Sequence, residues 1–297
     1  MIQVSLRQLE YFVAAARHGS TARAAEAIGV SQPSISKAIA DLEALWGEAL
    51  FVRRHARGLD LTAAGAVRSR EAQALLDGAR SLQGPRTAAM AGVLRLGFLS
   101  TLGARWVPAL LAQMQRVHPG IALELVEGDI ASLTQQVERG ELDAALQYDT
   151  GLARPRMELL PVAALPPYVL LPQRHALAAR TSVGLAEVAR YPLVLINLPH
   201  SREYFLSLFR EAGVTPLVAH EFASIEMLRS MVANGHGLSV LTTRPVVDRA
   251  HDGQRLACRR IRGRVAPQGV VLAVPAGNAS PLIAPFLKVA RAVIRSE

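Results

Sequence analysis

The stretch 20–62, STARAAEAIGVSQPSISKAIADLEALWGEALFVRRHARGLDLT, constrains the fold more than any other part of the chain. Ser20 precedes a small apolar face of Ala24, Ala25 and Ile28, and a serine hydroxyl there accepts from a backbone N–H the helix start leaves unpaired. Small side chains on that face let two helices cross closely. Gly29 makes a turn. Ser31 opens a second cap, with Pro33 in the first turn, where a missing N–H costs nothing. Ile35, Ile39, Leu42 and Trp46 then recur at helical spacing and form one core-facing stripe. Leu50 and Phe51 can anchor a strand, 52–57 carries Arg53, Arg54 and Arg57, Gly58 turns, and Leu59 and Leu61 return. Helix, tight turn, helix and arginine-tipped hairpin make the arrangement of a winged helix-turn-helix, which lays its second helix in the major groove of a duplex.

The flanks agree. Leu6, Leu9, Phe12, Val13 and Ala16 predict a preceding helix, capped by Ser5 and ended by Gly19. Gln32, Ser34, Ser36 and Lys37 lie off the apolar stripe near the start of the second helix. Gln pairs with adenine edges, Ser bonds to bases or phosphates, and Lys reads guanine or neutralises a phosphate. The candidate DNA-contact set is Thr21, Ser31, Gln32, Pro33, Ser34, Ser36, Lys37, Arg53, Arg54 and Arg57. An ordinary capped helix with a solvated face, followed by a solvated basic loop, is the alternative. Thr62 caps a further helix to about residue 83, roughly 30 Å long. Its stripes are weak: Ala63, Ala66, Val67 and Ala74, then Leu75, Ala79 and Leu82. This reads either as a linker helix that pairs with a second copy or as a plain surface helix.

The net charge of +9 favours anionic partners such as nucleic acid. Residues 1–91 contribute only +3 and residues 92–297 the other +6, so the DNA reading rests on the motif and not on bulk charge. Cys258 is the only cysteine, which excludes an intrachain disulfide and a cysteine-built zinc site. Residues 1–8 lack the apolar core of a secretory signal, and no run of about 18 apolar residues exists. A soluble cytoplasmic protein without a membrane partner is the expectation.

Beyond Gly84-Pro85 the pattern changes. Strands are predicted at 93–98, 121–125 and 143–148, with helices at 102–117 and 130–139 between them. A second set follows: strand 168–171, helix 183–189, strand 193–196, helix 202–212, strand 218–222, helix 225–234 and strand 238–241. Strand 269–274 and helix 279–295 close the chain. The repeated β-α-β order argues for open, mainly parallel α/β sheet. Its length suits two lobes, about 92–148 with 268–297 and about 152–266, crossing near 148–151 and near Pro267.

Ligands of such sheets bind beyond the carboxyl ends of strands, where helix N-termini aim their amides. Ser100 and Thr101 fit that position in the first lobe; Asn197, His200, Ser201 and Arg202 fit it in the second; Ser224 and Ile225 follow Phe222. Singly, each is also a helix cap. Converging from facing lobes, they predict an effector cleft, with Leu102, Gly128 and Tyr148 completing the candidate set. Arg202 would hold a carboxylate through a bidentate pair, or else point to solvent. Arg255, Arg259, Arg260, Arg262 and Arg264 form a dense cluster, read as a solvated strand edge or as a seat for an anionic partner. Cys258, beside Arg259 and Arg260, could have a lowered pKa; a redox-sensing thiol would lack an intrachain resolving partner.

No HExxH, GxSxG, GxGxxG or P-loop pattern is present, and the eight histidines fall in no metal-ligand spacing. No catalytic residue, metal or cofactor is expected. The rival class is a solute-binding module or small-molecule enzyme that uses the front domain for protein contacts.

The run Leu9, Phe12, Ser20, Ala24, Ala25, Val30, Ser31, Gln32, Pro33, Ser36, Ile39, Leu42, Glu43, Gly47, Leu50, Phe51, Arg53, Arg57, Leu61, Thr62, Gly65 resembles the LysR-type transcriptional regulators. The similarity is strong over roughly 5–66 and extends in layout along the whole chain. It implies a recognition helix carrying Gln32, Pro33, Ser34, Ser36 and Lys37, a wing carrying Arg53 and Arg57, and a two-lobed periplasmic-binding-protein-like effector domain. The expected domains are 1–62 for DNA binding, 63–87 for the linker and dimerisation helix, and 88–297 for the effector. The implied partners are double-stranded DNA, a small-molecule effector, further copies in a dimer or tetramer through the linker helix, and RNA polymerase. Where the family often follows VANGHGLSVL with Leu-Pro, this chain reads Leu241-Thr242-Thr243-Arg244-Pro245.

Overall fold

The computed structural model describes residues 3–54, 58–83, 91–152, 155–277 and 279–294, and the backbone alone of 53, 54, 77 and 80–83. Arg57 lies outside the described residues.

The front opens with α1 (Leu6–His18), whose N-terminus is closed reciprocally by Ser5 and Gln8. Helix α2 (Thr21–Ile28) starts at Ser20 and α3 (Gln32–Trp46) at Ser31. Strands β1 (Phe51–Arg54) and β2 (Gly58–Leu61) pair antiparallel, with Phe51 opposite Leu61. Ala14, Ala15, Ala24, Ala25, Ile35 and Ile39 form one buried cluster; Leu9, Phe12, Leu42, Leu50, Ala72 and Leu76 form another. Phe12 sits at its centre, with Trp46 and Phe51 edge-on at 6.1 and 5.6 Å.

Helix α4 (Ala63–Gln83) is capped by Thr62, whose hydroxyl accepts from the Gly65 amide at 2.9 Å. Neither expected stripe is its buried face. Ser69, Ala72, Gln73 and Leu76 are buried instead, while Val67 and Leu75 stay 44% and 61% exposed. Packing against α1 selects the face, and the helix's own weak apolar pattern does not.

The back half runs β3 (Gly92–Leu99), α5 (Ser100–Val117), β4 (Ile121–Gly128), α6 (Ile130–Glu138), β5 (Ala144–Tyr148) and β6 (Met157–Leu165), then β7 (Tyr168–Pro172), β8 (Ser182–Val183), α7 (Leu185–Val188), β9 (Pro192–Ile196), α8 (Ser201–Glu211), β10 (Leu217–Phe222), α9 (Ile225–Ala233), β11 (Ser239–Leu241) and β12 (Leu256–Ile261), and closes with β13 (Gln268–Pro275) and α10 (Ile283–Val293). The first lobe is a five-stranded sheet ordered β4-β3-β5-β13-β6. The second holds a four-stranded sheet, β11-β7-β12-β8, and the parallel pair β10-β9, tied to it by a bridge from Leu193 to Leu238.

Three expectations are corrected here. The sheets are mixed and not mainly parallel: β13 runs antiparallel to β5 and β6, and β7 runs antiparallel to β11 and β12. The first crossing lies at 165–168 and not near 148–151, because β6 returns to the first sheet. Pro161 hid that strand from sequence reading; as the edge strand, β6 tolerates proline, and its register slips beside that residue. Strand β12 is internal, between β7 and β8, and carries only Arg259 and Arg260 of the arginine cluster, so the cluster does not form a sheet edge as a unit.

Candidate DNA-reading face and ligand cleft

Helix α3 divides its surface sharply. Ile35, Ile39 and Leu42 are buried, while Ser31, Gln32, Pro33, Ser34 and Lys37 are exposed and Ser36 is half-buried. The Ser31 hydroxyl accepts from the Ser34 amide at 3.4 Å and is hydrogen-bonded to the Ser34 hydroxyl at 2.7 Å. Gln32 Nε2 donates to Thr21 Oγ1 at 3.3 Å, bracing the start of α3 against the start of α2. That edge carries polar groups and one lysine, a chemistry suited to base edges and phosphates. Arg53 and Arg54 lie on β1 opposite Leu59 and Gly58. Glu43 Oε1, beneath the wing, accepts from the Leu50 and Phe51 amides at 2.7 and 3.4 Å.

Between the lobes of the back half lies a cavity of about 680 Å³, lined among others by Ser100, Thr101, Ile225, Arg229, Arg244 and Arg249. A neighbouring cavity of about 370 Å³ adds Gly128, Asp129, Ile130 and Ser201. Thr101 reaches both. Below them a closed polar layer joins the lobes: the Tyr148 hydroxyl is 3.3 Å from Thr243 Oγ1, and Thr242 Oγ1 donates to Gln268 Oε1 at 2.7 Å. The Tyr168 hydroxyl donates to the Thr243 carbonyl at 3.0 Å. Burial raises both tyrosine pKa values, so these groups act as neutral hydrogen-bonding hydroxyls.

The charge around the larger cavity is one-sided. Arg105, Arg229, Arg244 and Arg249 line it against Glu226 alone. Arg229 is held by Glu226 at 2.7 Å and by the Thr243 carbonyl at 3.3 Å, but its Nε is buried without a partner. Ala104, Ile225, Pro245, Val246 and Val247 supply apolar wall. A site of this size, apolar with a few converging charges, suits a small organic anion.

Several predicted cleft residues sit elsewhere. Leu102 is fully buried in the first lobe's core. Arg202 pairs with Glu221 through Nε and Nη2 at 3.3 and 3.0 Å and also meets Glu203, so the guanidinium assigned to a carboxylate effector is already engaged. His200, in the left-handed region at φ +66°, precedes α8 and is exposed. The Asn197 amide donates to the Phe222 carbonyl at 2.8 Å in the β9–β10 pairing, and neither residue lines a described cavity. Ser100, Thr101, Gly128, Tyr148, Ser201 and Ile225 do line the cleft or its floor. Sequence reasoning missed Arg229, Thr243 and Gln268. The signal for Thr243 was the polar run after Leu241; Arg229 lies within an otherwise ordinary amphipathic helix.

The arginine cluster disperses. Arg259 donates to the Ala178 carbonyl, and Arg262 meets Glu187 at 2.7 Å. Cys258 is buried, and burial raises its thiol pKa to about 11, outweighing the lowering by Arg244 and Arg229. The expected lowering by neighbouring arginines is thus reversed, and a poised redox thiol does not fit. Among the described residues no helix is long and apolar enough to cross a membrane, and no group of three His, Cys, Asp or Glu could hold a metal.

Fold and site together define a two-part regulator, a winged helix-turn-helix that reads DNA joined to a two-lobed domain that binds a small molecule. Family profiles agree: one described as a bacterial regulatory helix-turn-helix protein of the lysR family matches residues 6–66, and one described as the LysR substrate binding domain matches residues 87–295. The chain belongs to the LysR family of transcriptional regulators. It is similar to the SDS degradation transcriptional activation protein of a Pseudomonas species, 34% identical over 259 residues, 84% of this chain and 82% of that one. It is also similar in structure to HinK, a LysR family transcriptional regulator from Pseudomonas aeruginosa, with a TM-score of 0.65, 33% identity and 98% of each chain covered. A point variant of full-length OxyR from the same species gives a TM-score of 0.73 at 27% identity, covering 98% of this chain and 99% of that one.

Proposed function

We propose that α3 enters the major groove with Gln32, Ser34, Ser36 and Lys37 toward bases and phosphates, that the wing arginines Arg53, Arg54 and Arg57 grip the flanking backbone, and that a small organic anion in the inter-lobe cleft controls the outcome. The carrying observation is the exposed polar edge of α3 opposite the buried Ile35, Ile39 and Leu42. Arg229 and Arg244 supply the cleft's cations, in place of Arg202. The outward Val67 and Leu75 of α4 form the face on which a second copy packs, and the DNA-bound assembly engages RNA polymerase.

Helix α6 gives the cleft a route to the DNA-binding half. Its first turn lines the cleft at Asp129 and Ile130, and the carbonyl of its last residue, Glu138, accepts from Arg70 of the linker helix. Gly140 makes the close approach possible, since a Cβ there would lie 2.5 Å from Arg70 Cγ. An effector changes DNA binding only through unequal affinity for two arrangements of the assembly.

The test is fluorescence anisotropy of the full chain on a duplex from its own upstream region across a salt series. Affinity is expected to fall steeply and log-linearly with salt. Failure to bind any duplex at low ionic strength overturns the reading.

A further inference from the structure

On the hinge side of the back half lies another cavity, of about 380 Å³. Residues from both lobe crossings enclose it: Pro166 and Pro167 from the first, Gly263 and Val265 from the second. Trp106, Tyr168 and Ile261 add flat apolar wall. Arg260 lines it together with Arg105 and Arg244, which the inter-lobe cavity shares, and among the described residues no carboxylate does. Within the dense arginine run, Arg259 is held by the Ala178 carbonyl and Arg262 by Glu187. Arg260 stands between them on β12, opposite Tyr168 of β7, and makes no side-chain hydrogen bond or ion pair among the described residues. Arg105 lies 5.7 Å from the centre of the Trp106 ring.

We propose that this hinge cavity, which adjoins the inter-lobe cleft and shares Arg105 and Arg244 with it, is a second ligand site, centred on Arg260, for a small aromatic carboxylate or a comparable flat organic anion. Arg260 has no counter-charge among the described residues, and an anion in the cavity supplies one. A carboxylate matches the planar donor fork of Arg260. The proline pair, Trp106 and Val265 present apolar surface to a ring, and the volume falls within the range of small-molecule sites. The site needs residues of both lobes and both crossings, so its occupancy depends on the angle between lobes.

Two tryptophans occur in the chain, so Trp46→Phe in the full-length protein leaves Trp106 as the only indole reporter. The probe is 4-nitrobenzoate, with neutral nitrobenzene and inorganic sulfate as controls. Saturable quenching of Trp106 by nitrobenzoate is expected, with neither control reproducing it at equal concentration. Arg260→Ala is expected to raise the midpoint about tenfold or more, whereas Arg229→Ala, in the inter-lobe cleft only, leaves it within twofold. Calorimetric titration of the chain with both tryptophans present, and of the same arginine variants, repeats the comparison without the reporter substitution. Equal binding by Arg260→Ala overturns the proposal, as does equal quenching by nitrobenzene. A loss on Arg229→Ala that matches the loss on Arg260→Ala moves the anion to the inter-lobe cleft and also overturns it. Failure to bind DNA would leave this test untouched.

Discussion

Glycine at position 65 separates helix propensity from packing. It lies in the first turn of α4, where alanine would ordinarily stabilise a helix by about 0.5–1 kcal/mol. A Cβ at Gly65 would stand 2.9 Å from the Leu50 carbonyl carbon and 3.1 Å from Leu61 Cδ2, with the Leu50 oxygen closer still. That oxygen accepts from the Thr62 amide at 3.0 Å and fixes the entry to the wing, so it cannot retreat freely. Overpacking costs about 1–3 kcal/mol, and losing the Thr62–Leu50 bond about 0.5–1.5 kcal/mol. Against the propensity gain, Gly65→Ala is expected to destabilise the front unit by roughly 0.5–4 kcal/mol. At about 4–8 °C per kcal/mol for a unit of this size, its melting point falls by at least about 2 °C. Trp46 fluorescence of the full chain in a Trp106→Phe background follows that unit alone. Gly78 is the internal control: a Cβ there meets nothing within 4 Å, so Gly78→Ala is expected to stabilise by about 0.5–1 kcal/mol. Stabilisation by both substitutions would refute the packing argument.

Leu75→Asp, on the outward face of α4, is expected to leave the chain folded and shift it to monomer by light scattering; an unchanged oligomer contradicts the assignment of that face. Gly140→Ala should displace Arg70 and weaken the response of DNA binding to a cleft ligand, measured as the ratio of duplex affinities with and without it; an unchanged ratio removes α6 from the route. Cys258 carries a thiol raised to about 11 from 9.0, so the unfolded state loses its proton first and stability is expected to decline as pH rises from 9 toward 11. A Cys258→Ala chain should show a smaller decline in urea melts over that window, and an identical decline contradicts the burial of the thiol. Native Cys258 should also resist iodoacetamide at pH 8.

Local chemistry made the front legible. Ser5, Ser20, Ser31 and Thr62 cap where sequence placed them, because capping depends on a few neighbouring residues. The buried face of α4 was not legible, since a helix with weak stripes takes the face its partner covers. Strand β6 was hidden by Pro161, whose tolerance depends on lying at a sheet edge, a fact of topology. In the cleft, strand ends and helix starts pointed to Ser100, Thr101 and Ser201. Arg202 misled because its competitor, Glu221, arrives from β10, nineteen positions along the chain. Arg229 gave no local sign; only the crossing of the lobes brings its side chain to the cavity.

Gln32 carries the central claim most directly. The measurement is the ratio of dissociation constants for a scrambled duplex and for the chain's own upstream site, at one fixed salt concentration, before and after Gln32→Ala. A base contact from Gln32 predicts that this ratio shrinks by about 1–3 kcal/mol, roughly fivefold or more. An unchanged ratio, with both duplexes weakened alike or not at all, would contradict a recognition face on the first turn of α3.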